Sequence, residues 1–447
     1  NASIQARAVN GPWKIQRGTA STPTHSVTNP WDPNATHDAR PHSLVCADAA
    51  TTSASLTSMR RAIRTSTTDR TLARRADVLA LTSTFPRHGD DPAGRFLLEL
   101  FEALPRRVDV LCPDDPLVVA AAQWTPLDVG RFTHAGLFYG AGALGNRRSG
   151  HCGPLRTTRS LASMARAAWR AARHAPIVWS HWAVPAGLVG AACTRRTRSA
   201  HVLTLHSADV WWLEQHALGA LLARRIARRC RVITAPSHDL ASRFERLAEQ
   251  PVRILGCGVH EHPAPAQRRP GPARAGTLSR LVPGKGTLEL LSVADEFPGD
   301  LHLAGDGPLA SRVSHACSRT GATWHGALTG QAKADYLANL DVFLAPYGRT
   351  PWDQPEGLPV AVLEALAAGL PVVAYASAAP REVVRDDNAV LVPDGDMNAF
   401  VRATRDLLRD APRRERLAAA ARRSAEPWLM PAVTRRWEAL FDELTPQ

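Results

Sequence analysis

Nowhere in the 447 residues do two cysteines stand in a C-x-x-C pair, and the seven cysteines are dispersed and odd in number. That argues against a disulfide frame and a zinc site, and it reads as reduced thiols packed in a cytosolic chain. No uninterrupted apolar run approaches the roughly 18 residues of a membrane span. The opening residues lack a secretory signal pattern. The expected location is cytoplasmic, with peripheral contact at the inner face of the cell membrane held open. No cluster of metal ligands is visible, so neither a bound metal nor a cofactor is expected. Basic motifs interleaved with aromatics are also missing, which speaks against a nucleic-acid partner.

What is present is positive charge. The formal net charge is +13, mostly from arginine scattered along the whole chain. Such an excess favours anionic partners, phosphates and acidic lipid surfaces among them, and serves equally as general solubilising charge. The apolar fraction of 45% and the charged fraction of 21% are ordinary for a globular protein. At this length two domains are expected.

Residues 1–70 differ from the rest. They are rich in Ser, Thr, Pro, Asn and Ala with little apolar periodicity, and they read as a disordered extension. The first methionine is Met59, and the expectation is that a native start lies near it, with residues 1–58 translated upstream sequence. From Asp77 short strand patterns alternate with helical ones: "DVLALTS", "VDVLC", "PIVWSHW", "HVLTLH", "RVITAPS" and "VRILGCG". This is the β-α-β rhythm of an open parallel sheet. The proline-rich stretch "VHEHPAPAQRRPGPARAG" interrupts it, and a second alternating set follows. The reading is an α/β chain with two doubly wound, Rossmann-like domains facing a cleft: 71–260, a linker at 261–275, then 276–430. The helix at 431–447 is expected to pack back on the first domain. Ligands of such sheets bind beyond the carboxyl ends of the strands.

"EGLPVAVLEALAAGLPVVA" places Glu356 just ahead of a helix start and Glu364 inside the helix. No basic residue lies between Glu356 and Ala374. Either Glu364 faces solvent, or something outside the chain takes its hydrogen bonds. At about 1.5 Å rise per residue the acids sit on the order of 10 Å apart, so a ligand bridging them is extended. It would offer hydroxyls at both ends and negative charge between, where the N–H groups of Gly357 and Leu358 point at an anion. A nucleotide sugar has that form; two unrelated acids on one helix start remain the plain alternative. In "SRLVPGKG", Arg280 and Lys285 stand on a turn after a strand expected to end near Leu281, and either suit a diphosphate or are two solvated basic residues of an arginine-rich chain. "LHLAGDGP" runs a strand into Gly305, which either admits a ligand to the backbone or makes a tight turn. Gly94 in the first β-α loop "TFPRHGDDPAG" has the same two readings. His206 in "LTLHSADVWW" is a strand-end acid/base or hydrogen-bond candidate, or a capping residue.

In order, these motifs resemble the family 4 glycosyltransferases from about Asp77 to the C-terminus, the E-x7-E stretch most specifically. The resemblance implies a retaining glycosyltransferase of the two-Rossmann-domain type, a hexosyltransferase of glycan, exopolysaccharide or glycolipid biosynthesis. It implies that Arg280 and Lys285 hold the donor diphosphate, Glu356 the transferred sugar and Glu364 the ribose. It places Gly94 against the phosphates and His206 near the reacting carbon, with Gly305, Gly357 and Leu358 in the donor site. The partners implied are a nucleoside-diphosphate sugar and an acceptor such as a lipid-linked intermediate or a polysaccharide. The chain departs from the family pattern at Ser279, His260, Ala379 and Ala389. Two other readings share the architecture: a nucleotide-sugar epimerase and a non-catalytic nucleotide-sugar-binding subunit.

Overall fold

The computed structural model describes residues 76–445 except 90, 115–127, 134–135, 140–145, 147–149, 151, 263–270, 348–357 and 377–381. The expectations for residues 1–70, and for Glu356, Gly357 and Ala379, lie outside the described residues.

The first domain runs Val78–Leu81 (β1), Arg95–Ala103 (α1), Val108–Pro113 (β2), Asp128–Phe132 (β3), Pro154–Ala171 (α2), Ile177–His181 (β4), Leu188–Thr194 (α3), Ala200–Thr204 (β5), Ala208–Glu214 (α4), Gly219–Ala227 (α5), Val232–Ala235 (β6), His238–Ala248 (α6) and Arg253–Ile254 (β7). The strands form a seven-stranded parallel sheet in the order β3-β2-β1-β4-β5-β6-β7. A parallel sheet is covered on both faces, so its strands read as continuous apolar runs. β1 is "VLAL" and wholly buried. Val78 and Ala80 pack in one cluster with Leu97 and Phe101 of α1, while Leu79 and Leu81 pack on the other face with Met164 and Ala168 of α2.

The second domain runs Arg274–Leu278 (β8), Thr287–Ser292 (α7), Asp300–Ala304 (β9), Ala310–Thr320 (α8), Thr323–Trp324 (β10), Gly330–Ala338 (α9), Val342–Ala345 (β11), Val360–Ala367 (α10), Val372–Tyr375 (β12), Ala389–Val392 (β13), Met397–Arg409 (α11) and Ala411–Ala425 (α12). Its six-stranded parallel sheet has the order β10-β9-β8-β11-β12-β13. In both sheets the order reverses beside the first strand, which opens a crevice at the carboxyl edge.

The last helix, Met430–Leu444 (α13), returns to the first domain. Val259 pairs with Leu429 in a parallel bridge. From there α13 drives Met430, Val433, Trp437, Leu440 and Phe441 into the α1 face of the first sheet. Trp437 sits 4.3 Å from the Trp179 ring of β4, centroid to centroid, and its indole N–H donates to the Gly256 carbonyl at 3.0 Å. Arg106, after α1, pairs with Glu438 at 2.6 Å and also with Asp442.

Several details differ from the sequence reading. β3 had no place in it: "DVGRF" carries two charges and a central glycine in five residues, and its pairing with β2 makes it a strand. The second domain starts at Arg274 rather than 276, since Arg274 already pairs with Asp300. β8 is Arg274–Leu278, and the chain beyond it keeps bonding to the β9 side, Ser279 N–H to the Ala304 carbonyl at 3.1 Å and Leu281 N–H to the Asp306 carbonyl at 2.9 Å.

The indole of Trp437 fills the first domain's core from the far end of the chain. Trp437→Ala is therefore expected to lower stability by roughly 3–5 kcal/mol. Urea denaturation followed by tryptophan fluorescence and circular dichroism reads this, and a loss under 1 kcal/mol would mean that α13 is only loosely docked.

Candidate functional site

The basic turn follows β8. Gly286 has φ +70°, and a Cβ there would lie 2.3 Å from the Pro346 carbonyl oxygen just past β11. Glycine thus lets the turn lie directly on the end of the neighbouring strand. Lys285 is carried with it, its Nζ 4.5 Å from the centroid of the Tyr347 ring. Tyr347 is buried and its hydroxyl donates to the Leu278 carbonyl at 2.9 Å. Arg280 stands exposed at the same edge. Gly305 follows β9 with φ +129°, and a Cβ there would meet the Ser279 carbonyl oxygen at 1.8 Å. The glycine is required by the approach of its own chain: the β9 loop is pressed on the backbone of the basic turn. Gly94 repeats this in the first domain. It caps α1 at φ +72°, and a Cβ would lie 2.8 Å from the Thr84 carbonyl oxygen.

Leu358 lies half-buried two residues ahead of α10 and packs on the second domain's core. The helix closes as a Schellman motif: Leu370 N–H reaches the Ala365 carbonyl and Gly369 N–H the Leu366 carbonyl, both at 2.9 Å, with Gly369 at φ +75°. Inside it Glu364 is only 6% exposed. Glu364 does not face solvent, and a basic residue of the chain itself takes one of its oxygens. Lys333 of α9 brings its Nζ to 2.5 Å from Glu364 Oε1.

Lys333 was missed because it belongs to a different helix 31 residues upstream. Composition carries the signal that finds it. The chain has only three lysines among its 54 Lys and Arg residues, and two of the three are Lys285 and Lys333. A compact ammonium is a point charge, whereas a guanidinium is a planar fork. Where arginine supplies almost all the positive charge, a lysine marks a place with room for a point only.

On the first domain's edge, His206 lies two residues past β5. Its Nε2 is 3.1 Å from Nδ1 of His181, the last residue of β4. The His206 ring is flanked by Trp182 at 4.3 Å and Phe96 at 5.5 Å. Asp209 joins the two strand ends: one oxygen accepts the His206 N–H at 3.1 Å, the other the Ala183 N–H at 2.6 Å. Burial raises the Asp209 pKa despite these hydrogen bonds. Desolvation pushes His206 down to about 3 and His181 well below its ordinary value. Both rings are neutral at physiological pH.

The two edges meet. The His238 N–H, at the start of α6, donates to the Glu382 carboxylate beyond β12. Glu99 of α1 has a pKa raised first by burial, lowered by Lys333 and raised by Glu364. It therefore shares the electrostatic environment of the buried pair. His260, which stands where the family pattern has an acid, brings its Nε2 to 3.9 Å from Glu99 Oε2. In the second domain Arg280 and Lys285 follow β8, Gly305 follows β9, Leu358 precedes α10 and Glu364 lies inside it; in the first, Gly94 caps α1 and His206 follows β5. Among the described residues no group of three or more His, Cys, Asp and Glu is placed to hold a metal ion.

Comparison with known proteins gives two family matches: glycosyltransferase family 4 over residues 93–262, and glycosyl transferases group 1 over residues 260–424. Among curated proteins, the chain is 31% identical over 269 residues to a GDP-mannose-dependent alpha-(1-6)-phosphatidylinositol monomannoside mannosyltransferase of Mycolicibacterium smegmatis, covering 55% of this chain and 70% of that one. It is 28% identical over 274 residues to the 2-deoxystreptamine N-acetyl-D-glucosaminyltransferase of Streptomyces fradiae, covering 54% and 63%. Among solved structures, the sucrose-phosphate synthase of Thermosynechococcus elongatus superposes with a TM-score of 0.65 at 19% identity, over 83% of this chain and 99% of that one. HepE of Anabaena, solved with UDP and glucose, gives 0.63 at 17% identity, over 82% and 100%. At these identities the structural likeness shows the fold alone.

The neutral histidines make stability pH-dependent. Burial also lowers His201, inside β5, to about 3. An unfolded histidine titrates near 6.5, so between about pH 6.5 and 3 the unfolded chain binds more protons. Stability is complete above pH 6.5 and falls as pH drops through that window. From pH 7 to 5 the expected loss is up to about 2 kcal/mol per ring, read as a lower urea midpoint, and His201→Gln should flatten the slope. A midpoint that holds or rises on acidification would contradict it.

Proposed function

Because the chain belongs to the group 1 and family 4 glycosyltransferases, it is a hexosyltransferase of glycan or glycolipid biosynthesis, and we propose that it moves a sugar from a nucleoside diphosphate to an acceptor hydroxyl with the anomeric configuration retained. This reading is supported by the two basic residues Arg280 and Lys285 on the turn after β8 and by the buried Lys333–Glu364 pair of α9 and α10. Arg280 and Lys285 flank the place of a diphosphate. Glu364 has one oxygen held by Lys333 and the other directed to a ribose hydroxyl, and Glu356 takes the transferred sugar. The Mycolicibacterium relative, which carries GDP-mannose in its name, supports a nucleotide-sugar donor.

In the reaction the bond from the anomeric carbon to the diphosphate oxygen breaks. The acceptor oxygen bonds to that carbon on the same face. The acceptor's proton passes to the departing phosphate, whose growing charge Arg280 and Lys285 stabilise. His206 contacts the sugar as a neutral ring. Arg280→Ala is expected to cut turnover by roughly 10²–10³ with an unchanged circular dichroism spectrum. Near-wild-type turnover would refute the role.

The acceptor is met at a membrane surface. No helix among the described residues is long and apolar enough to cross a bilayer, but α2 is built to lie on one. No Asp or Glu occurs from Val129 to Ala208. On α2 and just after it, Arg156, Arg159, Arg166, Arg170 and Arg173 are exposed beside Leu155 and Trp169, which are 71% and 39% exposed. A basic face with an apolar residue and a tryptophan suits the interface of an anionic bilayer. The protein should cosediment with phosphatidylglycerol vesicles and not with phosphatidylcholine ones. Replacing Arg166 and Arg170 with Gln should weaken that binding roughly tenfold or more. Equal binding to both vesicles, or an unaffected double variant, would count against the surface.

A further inference from the structure

The sugar-side edge holds a second histidine that neither the motif order nor the proposed mechanism uses. His181 is fully buried at 0% exposure, at the end of β4. Its ring lies 4.6 Å from Trp179 and 5.4 Å from Phe101, centroid to centroid. Its Nδ1 is 3.1 Å from His206 Nε2, and its own Nε2 is buried with no hydrogen-bond partner among the described residues. The Asp209 carboxylate, which accepts a backbone N–H from each strand end, holds the two rings at this spacing.

Two neutral imidazoles share one proton across that contact. If His206 donates from Nε2, His181 must carry its proton on its own Nε2. That N–H then points into an apolar cage with no acceptor, and a buried donor left unmade costs about 1–3 kcal/mol. If His181 donates from Nδ1, its Nε2 is a bare lone pair. Under-satisfied acceptors are tolerated more often than orphaned N–H groups. His206 then accepts at Nε2 and keeps its proton on Nδ1. That nitrogen is not among the buried unpartnered atoms, and the residue is half-buried.

We infer that His181 is a positioning residue that fixes His206 as an Nδ1–H donor. At the cleft, His206 then presents a hydrogen rather than a lone pair. It donates to a sugar or acceptor oxygen and does not remove a proton. The acceptor's proton is left for the departing phosphate. This consequence rests on the proposed function, whereas the tautomer itself does not.

The test is two-bond ¹H–¹⁵N correlation NMR on the full-length protein labelled at histidine, with His206→Gln assigning the signals. The expected wild-type spectrum has His206 protonated at Nδ1 and bare at Nε2. His181→Leu removes the donor and should shift His206 toward the Nε2–H form, with kcat lowered roughly tenfold and nucleoside-diphosphate binding unchanged. His181→Asn places an amide N–H where Nδ1 was and should restore both the tautomer and most of the kcat. An Nε2–H tautomer in the wild type overturns the inference, as does a His206 signal indifferent to His181→Leu. If the tautomer shifts as expected and turnover does not, the relay stands and the contact of His206 with substrate falls.

Discussion

A parallel sheet delivers every strand end to one edge, and the chemistry of this chain follows from that constraint. A side chain placed just after any strand reaches the same edge as those after its neighbours. His181 ends β4 and His206 follows β5; Arg280, Gly305 and Tyr347 follow β8, β9 and β11. Residues far apart in sequence thus stand together without any local motif to join them. The two edges are then turned toward each other, with the His238 contact to Glu382 and the field of Lys333 at Glu99 crossing between the domains.

Close backbone approach sharpens the arrangement. Gly286 lies on Pro346, Gly305 on Ser279 and Gly94 on Thr84, each at a distance no side chain permits. These glycines compress the loops on their own neighbours, so the charged groups beside them are set on stiff ground. The Lys333–Glu364 pair adds a buried charge held by its opposite. Breaking such a pair from one side is typically far worse than replacing both partners, so α9 and α10 are bound to act as one wall of the crevice.

Much of this was legible in the sequence, and the remainder was hidden for physical reasons. Continuous apolar runs such as "VLAL" and "VITA" announce buried parallel strands, and the order of "SRLVPGKG" and the two-acid helix announces the family to which the chain belongs. β3 was not legible, because a five-residue edge strand with two charges and a glycine has no apolar run or period of its own. Lys333 was not legible from the acid it serves, because the pairing crosses from one helix to another, although the scarcity of lysine pointed to it. His181 sits in a run whose apolar neighbours suggest only a core strand. At Gly305 the close approach of its own backbone fits the tight-turn reading, and at Gly94 the chain's own backbone likewise leaves no room for a side chain.

The most direct test of the facing-edge site is thermal unfolding of the wild type and of Lys285→Met in the presence of UDP and of GDP. One of these diphosphates, at about 100 times its dissociation constant, should stabilise the wild type by near 2.7 kcal/mol, and the variant should lose most of that gain. Stabilisation by neither, or stabilisation equal in both proteins, would contradict a diphosphate bound at the basic turn.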